Sequence, residues 1–104
     1  MSYELYFLPS ARKEWDKLGK VIQGRFKEKL TERLKTPIVP KDKLRGELAD
    51  FYKIKLRDLG YRLVYEVITE SKKLVVITVG KRDKSAVYER AILITKSRGN
   101  HDHH

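Results

Sequence analysis

Basic side chains stand at alternate positions in one stretch of this chain and a neighbouring stretch adds another, which would place several cations on one face of a sheet. Residues 51–57 read Phe-Tyr-Lys-Ile-Lys-Leu-Arg and residues 61–68 read Tyr-Arg-Leu-Val-Tyr-Glu-Val-Ile. This alternation is typical of strands with one buried face. A cluster of like charges on the other face lowers stability, so a small domain that keeps one is expected to bind an anion with it.

The register of these two strands follows from the turn between them. Residues 57–60 read Arg-Asp-Leu-Gly, which fits a type I turn in which Gly60 is left-handed and position 57 pairs with 60. The apolar face then carries three opposed pairs: Tyr52 with Tyr65, Ile54 with Leu63, and Leu56 with Tyr61. The other face presents basic side chains: Lys53, Lys55 opposite Arg62, and Arg57 near the turn. A shift of one residue would set each apolar face against a charged one.

The composition indicates a single domain with a polyanionic partner. The chain has 104 residues and a formal charge of +10, with an isoelectric point near 9.9, which favours nucleic acid. No apolar run approaches the roughly 20 residues that span a bilayer, and no signal-peptide segment precedes the first predicted strand. The absence of cysteine excludes disulfides and thiolate metal sites. We therefore expect a cytoplasmic protein without membrane association.

Two helices are predicted after a strand at residues 3–8. The first begins at Ser10, its expected N-cap, and runs to about Gly19, whereas the second spans residues 21–35 and ends before Pro37. Residues 10–35 carry nine Lys and Arg against four Asp and Glu. That surplus is either a solvated surface or a footprint for an RNA backbone.

The second half of the chain completes an α+β fold. Residues 74–79 form an unbroken apolar run, which predicts a strand buried on both sides, and Ser85 can cap a last helix. We expect a small, twisted, mainly antiparallel sheet with the helical hairpin on one face and a short C-terminal helix. Residues 1–95 form the single domain. Residues 96–104 are expected to be a polar, disordered tail, whose three histidines are interpreted as a floppy or vector-derived end rather than as a metal site.

Several short motifs resemble the RelE toxins of bacteria, in the order and spacing of that family. They are Lys43-Leu44-Arg45-Gly46, Tyr52-Lys53-Ile54-Lys55-Leu56-Arg57, Gly60-Tyr61-Arg62-Leu63-Val64-Tyr65, and Val79-Gly80-Lys81-Arg82 with Val87-Tyr88. The opening residues 12–19, Arg-Lys-Glu-Trp-Asp-Lys-Leu-Gly, are also similar. The resemblance therefore covers about residues 2–95.

The resemblance implies the toxin of a type II toxin–antitoxin pair. Such a toxin is a ribosome-dependent endoribonuclease that cleaves mRNA in the ribosomal A site, beside the RNA of the small subunit, and is neutralised by a RelB-like antitoxin. No metal or other cofactor is implied. The implied catalytic residues are Lys53, Lys55, Arg62, Arg82 and Tyr88. The implied RNA-binding residues are Arg45, Arg57 and Lys81.

The implied reaction is attack by a ribose 2′-hydroxyl on the adjacent phosphate, which leaves a 2′,3′-cyclic phosphate and a free 5′-hydroxyl. Histidine usually performs such acid–base work, but residues 1–95 contain none. A lysine can accept the proton only if its pKa, ~10.4 when unperturbed, is lowered, as neighbouring cations do. Lys53 or Lys55 would take the proton or stabilise the alkoxide, while Arg62 holds the phosphate oxygens. Arg82 would lie beside the leaving oxygen, and Tyr88 would stack on or orient a splayed base.

Simpler interpretations of these residues stay open. Arg45 can pair with Glu47, Arg82 can pair with Glu89, and Tyr88 can be an ordinary core aromatic. Two other classes of function also stay open: a ParE-like toxin that acts on gyrase without nuclease activity, and a non-catalytic RNA- or ribosome-binding module. In either toxin class, an acidic amphipathic antitoxin segment is expected to cover the basic surface, with Leu or Ile in grooves beside the helices and with displacement of the last helix as one route.

Overall fold

The alternating and apolar segments assemble into a four-stranded sheet of order β1-β4-β3-β2. The computed structural model describes residues 2–44, 51–81 and 86–102. The strands are β1 (Glu4–Phe7), β2 (Phe51–Leu56), β3 (Tyr61–Ile68) and β4 (Lys73–Lys81). The last three form an antiparallel meander, whereas β1 runs parallel to β4. The predicted α+β class and the mainly antiparallel sheet are confirmed.

The β2–β3 hairpin has the predicted register. Lys55 lies opposite Arg62, and all three apolar pairs meet as expected. Gly60 is left-handed, with φ of 71°. The turn closes on the Leu56 carbonyl, which accepts from the amides of Leu59 at 3.2 Å and Gly60 at 2.8 Å. A four-residue loop therefore replaces the expected pair between positions 57 and 60, without changing the register beyond it.

Helices α1 (Pro9–Asp16) and α2 (Lys20–Lys35) form the predicted hairpin, and α3 (Ala86–Asp102) ends the described chain. The expected Ser10 cap is wrong, because Leu8 is the N-cap and no side chain caps the helix. Pro9 opens α1, where its missing N–H is not needed. A single 3-10 turn at Pro40–Asp42 follows α2, and the predicted cap Ser85 lies outside the described residues.

Helix α3 is longer than the sequence suggests. It continues to Asp102, into the segment expected to be disordered, whereas its predicted apolar contacts end at Ile94. Among the described side chains of α3, Val87 and Ala91 are buried, and Ile92 and Ile94 pack against the same core in part. The described core contacts of α3 therefore lie in the part of the helix that bears Tyr88.

Apolar side chains cover both faces of the sheet. On one face, α1 and α2 bury a cluster centred on Trp15, Phe26, Leu30 and Tyr65. On the other face, α3 covers a smaller cluster: Phe51, Val64, Val75, Ile77, Val87 and Ala91. Strand β4 contributes to both clusters, which confirms the prediction that it is buried on both sides. No helix in the described part of the chain is long and apolar enough to cross a bilayer.

Candidate active site

The predicted basic cluster exists on the sheet face that α3 partly covers. Lys53 and Lys55 alternate with buried residues along β2, and both are half-buried. Arg62 on β3 is also half-buried and lies directly opposite Lys55. The next strand places Gly80 opposite Arg62. The period of β2 and the turn at Gly60 thus bring three cations together on one surface.

The pKa of Lys55 lies below its ordinary value of 10.5. Burial is the largest cause, because it disfavours the charged ammonium, and the neighbouring Lys53, Arg62 and Arg57 lower it further. The crowding therefore favours the neutral amine, which is the form that can accept a proton. This is the property that a lysine needs to act as a base in a domain without histidine.

Tyr88 joins the cluster from α3. The guanidinium carbon of Arg62 lies 5.1 Å from the centre of the Tyr88 ring, a cation–π distance. Among the described residues, neither the Arg62 Nε nor the Tyr88 hydroxyl has a hydrogen-bond partner, although both atoms are buried. Burial raises the pKa of Tyr88, and the Arg62 charge opposes that rise. Buried polar atoms without a partner are what an unfilled ligand site offers.

A pocket of about 290 Å³ opens beside these residues at the hairpin turn. Its lining residues are Lys55, Leu56, Arg57, Gly60, Tyr61 and Arg62. Arg57 is exposed on the turn, and Lys81 is exposed at the end of β4 opposite Tyr61. Both predicted RNA-binding residues are therefore accessible to solvent, and Arg57 also lines the pocket. Arg45 and Arg82 lie outside the described residues.

Sequence reasoning missed a polar network behind the site. Arg33 on α2 donates to the Tyr65 hydroxyl at 2.7 Å and to the Lys53 carbonyl at 3.3 Å, and it pairs with Asp42. Tyr65 in turn donates to the Pro37 carbonyl at 2.8 Å. Arg33 therefore ties the backbone of β2 to α2 at the position that bears Lys53. A lone arginine on a basic helix gives no sequence signal of this role.

The arrangement is suited to chemistry on a phosphodiester. A lysine of lowered pKa can remove a proton, and fixed cations can hold the phosphate oxygens as negative charge develops. An aromatic ring offers a stacking surface for an unstacked base. The described residues contain no group of three or more metal-ligating side chains.

Comparison with known proteins places the chain among bacterial toxins. The family profile described as "ParE toxin of type II toxin-antitoxin system, parDE" matches residues 5–86. The mRNA interferase toxin RelE of Escherichia coli strain K12 is 51% identical over 92 residues, which are 88% of this chain and 96% of that protein.

Solved structures agree with this relationship. The free structure of a double arginine-to-alanine mutant of E. coli RelE has a TM-score of 0.81 at 49% identity, covering 89% of this chain and 97% of that chain. The same mutant in complex with a peptide of the antitoxin RelB has a TM-score of 0.76 at 50% identity, covering 88% and 95%.

Proposed function

Since this chain belongs to the RelE branch of the ParE toxin family of type II toxin–antitoxin systems, we propose that it is an mRNA interferase, a ribosome-dependent endoribonuclease acting in the cytoplasm. Its substrate is mRNA in the ribosomal A site, beside the RNA of the small subunit. The main observation that supports this proposal is that Lys53, Lys55 and Arg62 lie on one face of the sheet, with Tyr88 of α3 against Arg62.

In the proposed reaction, Lys55 is the base, because its pKa is lowered. Its neutral amine takes the proton of a ribose 2′-hydroxyl, and the resulting oxygen attacks the adjacent phosphorus. The bond from phosphorus to the 5′-oxygen breaks, and this oxygen takes a proton from water, leaving a 2′,3′-cyclic phosphate and a 5′-hydroxyl. Lys53 and Arg62 stabilise the charge on the phosphate oxygens, and Arg82 is assigned to the side of the leaving oxygen.

Both Tyr88 and the ribosome would orient the RNA in the site. The Tyr88 ring already lies against Arg62, so a base stacked on the exposed part of the ring would be held next to the cations. A site built from lysine and arginine has weak proton donors, so its rate depends strongly on substrate alignment. An mRNA held in the A site supplies that alignment, which accounts for ribosome dependence.

A RelB-like antitoxin is the proposed protein partner. An apolar groove of about 450 Å³ lies between β1 and the helical hairpin, lined in part by Leu5, Phe7, Trp15 and Leu34. Leu5 and the adjacent Tyr6 are exposed. An acidic amphipathic segment would place its apolar side chains in this groove and its carboxylates on the basic helices. Unchanged hydrogen exchange of residues 86–95 on binding would exclude displacement of α3.

The ParE-like alternative is favoured only by the description of the matching profile. A toxin that inhibits gyrase by protein contact requires none of the cations at the cluster, and mutation of Lys55 would leave such inhibition intact. A gyrase supercoiling assay with the wild-type protein and Lys55→Ala separates the two functions.

The decisive experiment maps cleavage on programmed ribosomes. Purified protein is incubated with ribosomes that carry an empty A site and, in parallel, with naked mRNA, and the 5′ ends are mapped. We expect A-site cleavage that requires the ribosome and is lost in Arg82→Ala and Lys55→Ala.

The matched control is Lys73→Ala. Lys73 lies on β4 at the end away from the cluster, with its ammonium 4.9 Å from the Tyr6 ring, so its loss should leave cleavage unchanged. No cleavage by folded wild-type protein on any codon tested would overturn the proposal. Binding of RNA or ribosomes without cleavage would favour the alternative in which the protein is a non-catalytic binding module.

A further inference from the structure

One carboxylate joins three elements, α1, β4 and α3. Glu14 on α1 accepts a hydrogen bond from the Thr78 hydroxyl at 2.7 Å and lies 3.0 Å from the Nε of Arg90 on α3. The same Nε donates to the Thr78 hydroxyl at 3.2 Å. We name Glu14, Thr78 and Arg90 the clamp.

The clamp occupies a gap in the strand pairing. β1 pairs with β4 only as far as Val76, so β4 has no strand neighbour on that side beyond this point. Glu14 fills the gap by accepting the Val79 amide at 3.3 Å. Thr78 is fully buried, so its bonds to Glu14 and Arg90 are shielded from water and harder to replace than exposed ones.

Arg90 also uses space that only a glycine leaves. A Cβ atom at Gly80 would lie 2.6 Å from the Arg90 Nη2. Gly80 is the cross-strand partner of Arg62. The Arg90 guanidinium therefore lies over β4 on the same face as the basic cluster, one strand away from Arg62.

The two sides of α3 are held by different contacts. Val87 points into the core. Successive helical residues are about 100° apart, so Tyr88 and Arg90 project to opposite sides of Val87. Tyr88 meets Arg62 on one side, and Arg90 meets Glu14 and Thr78 on the other. A helix held on both sides cannot turn about its axis without breaking one of these contacts.

We propose that Arg90, held by Glu14 and Thr78, is a positioning residue that fixes the rotation of α3 and thereby keeps the Tyr88 ring against Arg62. Only the kinetic consequence rests on the proposed function. The placement of Tyr88 can be measured without any RNA.

The test observes Tyr88 directly. Protein labelled with 13C at the tyrosine Cζ is compared with Tyr88→Phe to assign the resonance, and the phenol is then titrated with pH in Arg90→Ala and in Gly80→Ala. Gly80→Ala keeps every clamp residue but displaces the guanidinium. We expect the Tyr88 resonance to move in both variants and its pKa to fall towards the ordinary value, because burial is the largest cause of its rise.

Kinetics and a double variant separate positioning from RNA contact. We expect kcat to fall about 10- to 100-fold with little change in KM, and Arg90→Lys to recover part of the loss. Gly80→Ala combined with Arg90→Ala should be no worse than Arg90→Ala alone, since the clashing group is gone. Arg12→Ala, which removes an exposed ion pair of α1 with Asp16, should leave the Tyr88 resonance in place.

The opposite results would overturn the proposal. If the Tyr88 resonance does not move in folded Arg90→Ala and Gly80→Ala, the clamp does not determine the position of the Tyr88 ring. A raised KM with a weaker salt dependence and unchanged kcat would instead make Arg90 an RNA contact. If the wild-type protein failed to cleave, the resonance and its titration would still decide the positioning role.

Discussion

At the scale of single residues, the proposed site uses a lysine crowded by other cations as its base, where a histidine is the usual choice. Lys55 is half-buried beside Lys53 and opposite Arg62, and each of these features disfavours its ammonium form. Tyr88 and Arg62 each bury a polar atom that has no partner among the described residues. These two buried atoms slightly lower the stability of the free protein, and they remain available to form hydrogen bonds with a ligand. Functional sites commonly lose some stability in this way.

The pH dependence of cleavage should report on Lys55. A lowered pKa means that the neutral amine appears at lower pH, so the single-turnover rate should rise with pH through the Lys55 pKa. In Lys53→Met, one cause of the lowering is gone, so the ascending limb of the pH–rate profile should move to higher pH, together with a lower rate at neutral pH. Lys73→Met should not move the limb. A limb that stays in place in Lys53→Met would contradict the role of Lys55 as base.

Substitutions at Tyr88 should separate its ring from its hydroxyl. Tyr88→Phe keeps the ring over Arg62 and removes a buried hydroxyl without a partner among the described residues, so stability should be unchanged or slightly higher. Its cleavage rate should stay close to wild type. Tyr88→Ala loses the stacking surface, worth about 1–3 kcal/mol per base or roughly 5- to 150-fold in rate. Equal losses in kcat for the two variants would assign the function to the hydroxyl instead.

At the scale of elements, the β2–β3 hairpin is the unit that makes the cluster, and it is also the part that sequence predicts best. Period two fixes which side chains share a face, and Gly60 fixes the register. The start of α1 was predicted wrongly because Ser10 is a good N-cap in general, but Pro9 takes the first helical position. The clamp could not be predicted, because Glu14 and Thr78 are 64 positions apart in the chain.

Two glycine substitutions should have opposite signs. Gly60 has open space around it but a φ of +71°, so Gly60→Ala should destabilise the protein by about 1–2 kcal/mol. Gly24 is inside α2 and also has open space, so Gly24→Ala should stabilise it by about 0.5–1 kcal/mol. Urea unfolding measures both. Gly60→Asn, which tolerates the left-handed region, should lose less than Gly60→Ala; the reverse order would contradict a backbone origin.

The network around Tyr65 should behave as a buried polar unit. Tyr65→Phe leaves the Pro37 carbonyl and one Arg33 nitrogen without the partner they have now, so unfolding free energy should fall by about 1–3 kcal/mol. Tyr6→Phe is the control, because Tyr6 is 42% exposed and its loss should stay within about 0.5 kcal/mol. Equal effects of the two changes would mean that the Tyr65 hydroxyl bonds add nothing to stability.

At the scale of the whole molecule, the chain carries a formal charge of +10, and the two faces of its sheet are covered to different extents. One face is filled by α1 and α2, whereas α3 covers only part of the other and leaves the cations accessible. Attraction to RNA should therefore be strongly dependent on salt.

The affinity for a short single-stranded RNA should fall linearly on a log–log plot against salt concentration. Each neutralised phosphate contributes a slope of about −0.7, so Arg57→Ala should make the slope shallower by about that amount. Lys73→Ala, far from the pocket, should preserve the slope. A slope unchanged by Arg57→Ala would exclude this residue from contact with the backbone.

The parallel pairing of β1 with β4 also has a consequence during synthesis. Glu4 pairs with Lys73, so β1 cannot enter the sheet until β4, the last of the four described strands, has been synthesised. Contacts so distant in the chain form late, and Tyr88 on α3 follows later still. The nascent chain therefore cannot assemble the basic cluster with its tyrosine until all four described strands and Tyr88 have been synthesised, which delays the appearance of a protein whose proposed substrate is translating mRNA.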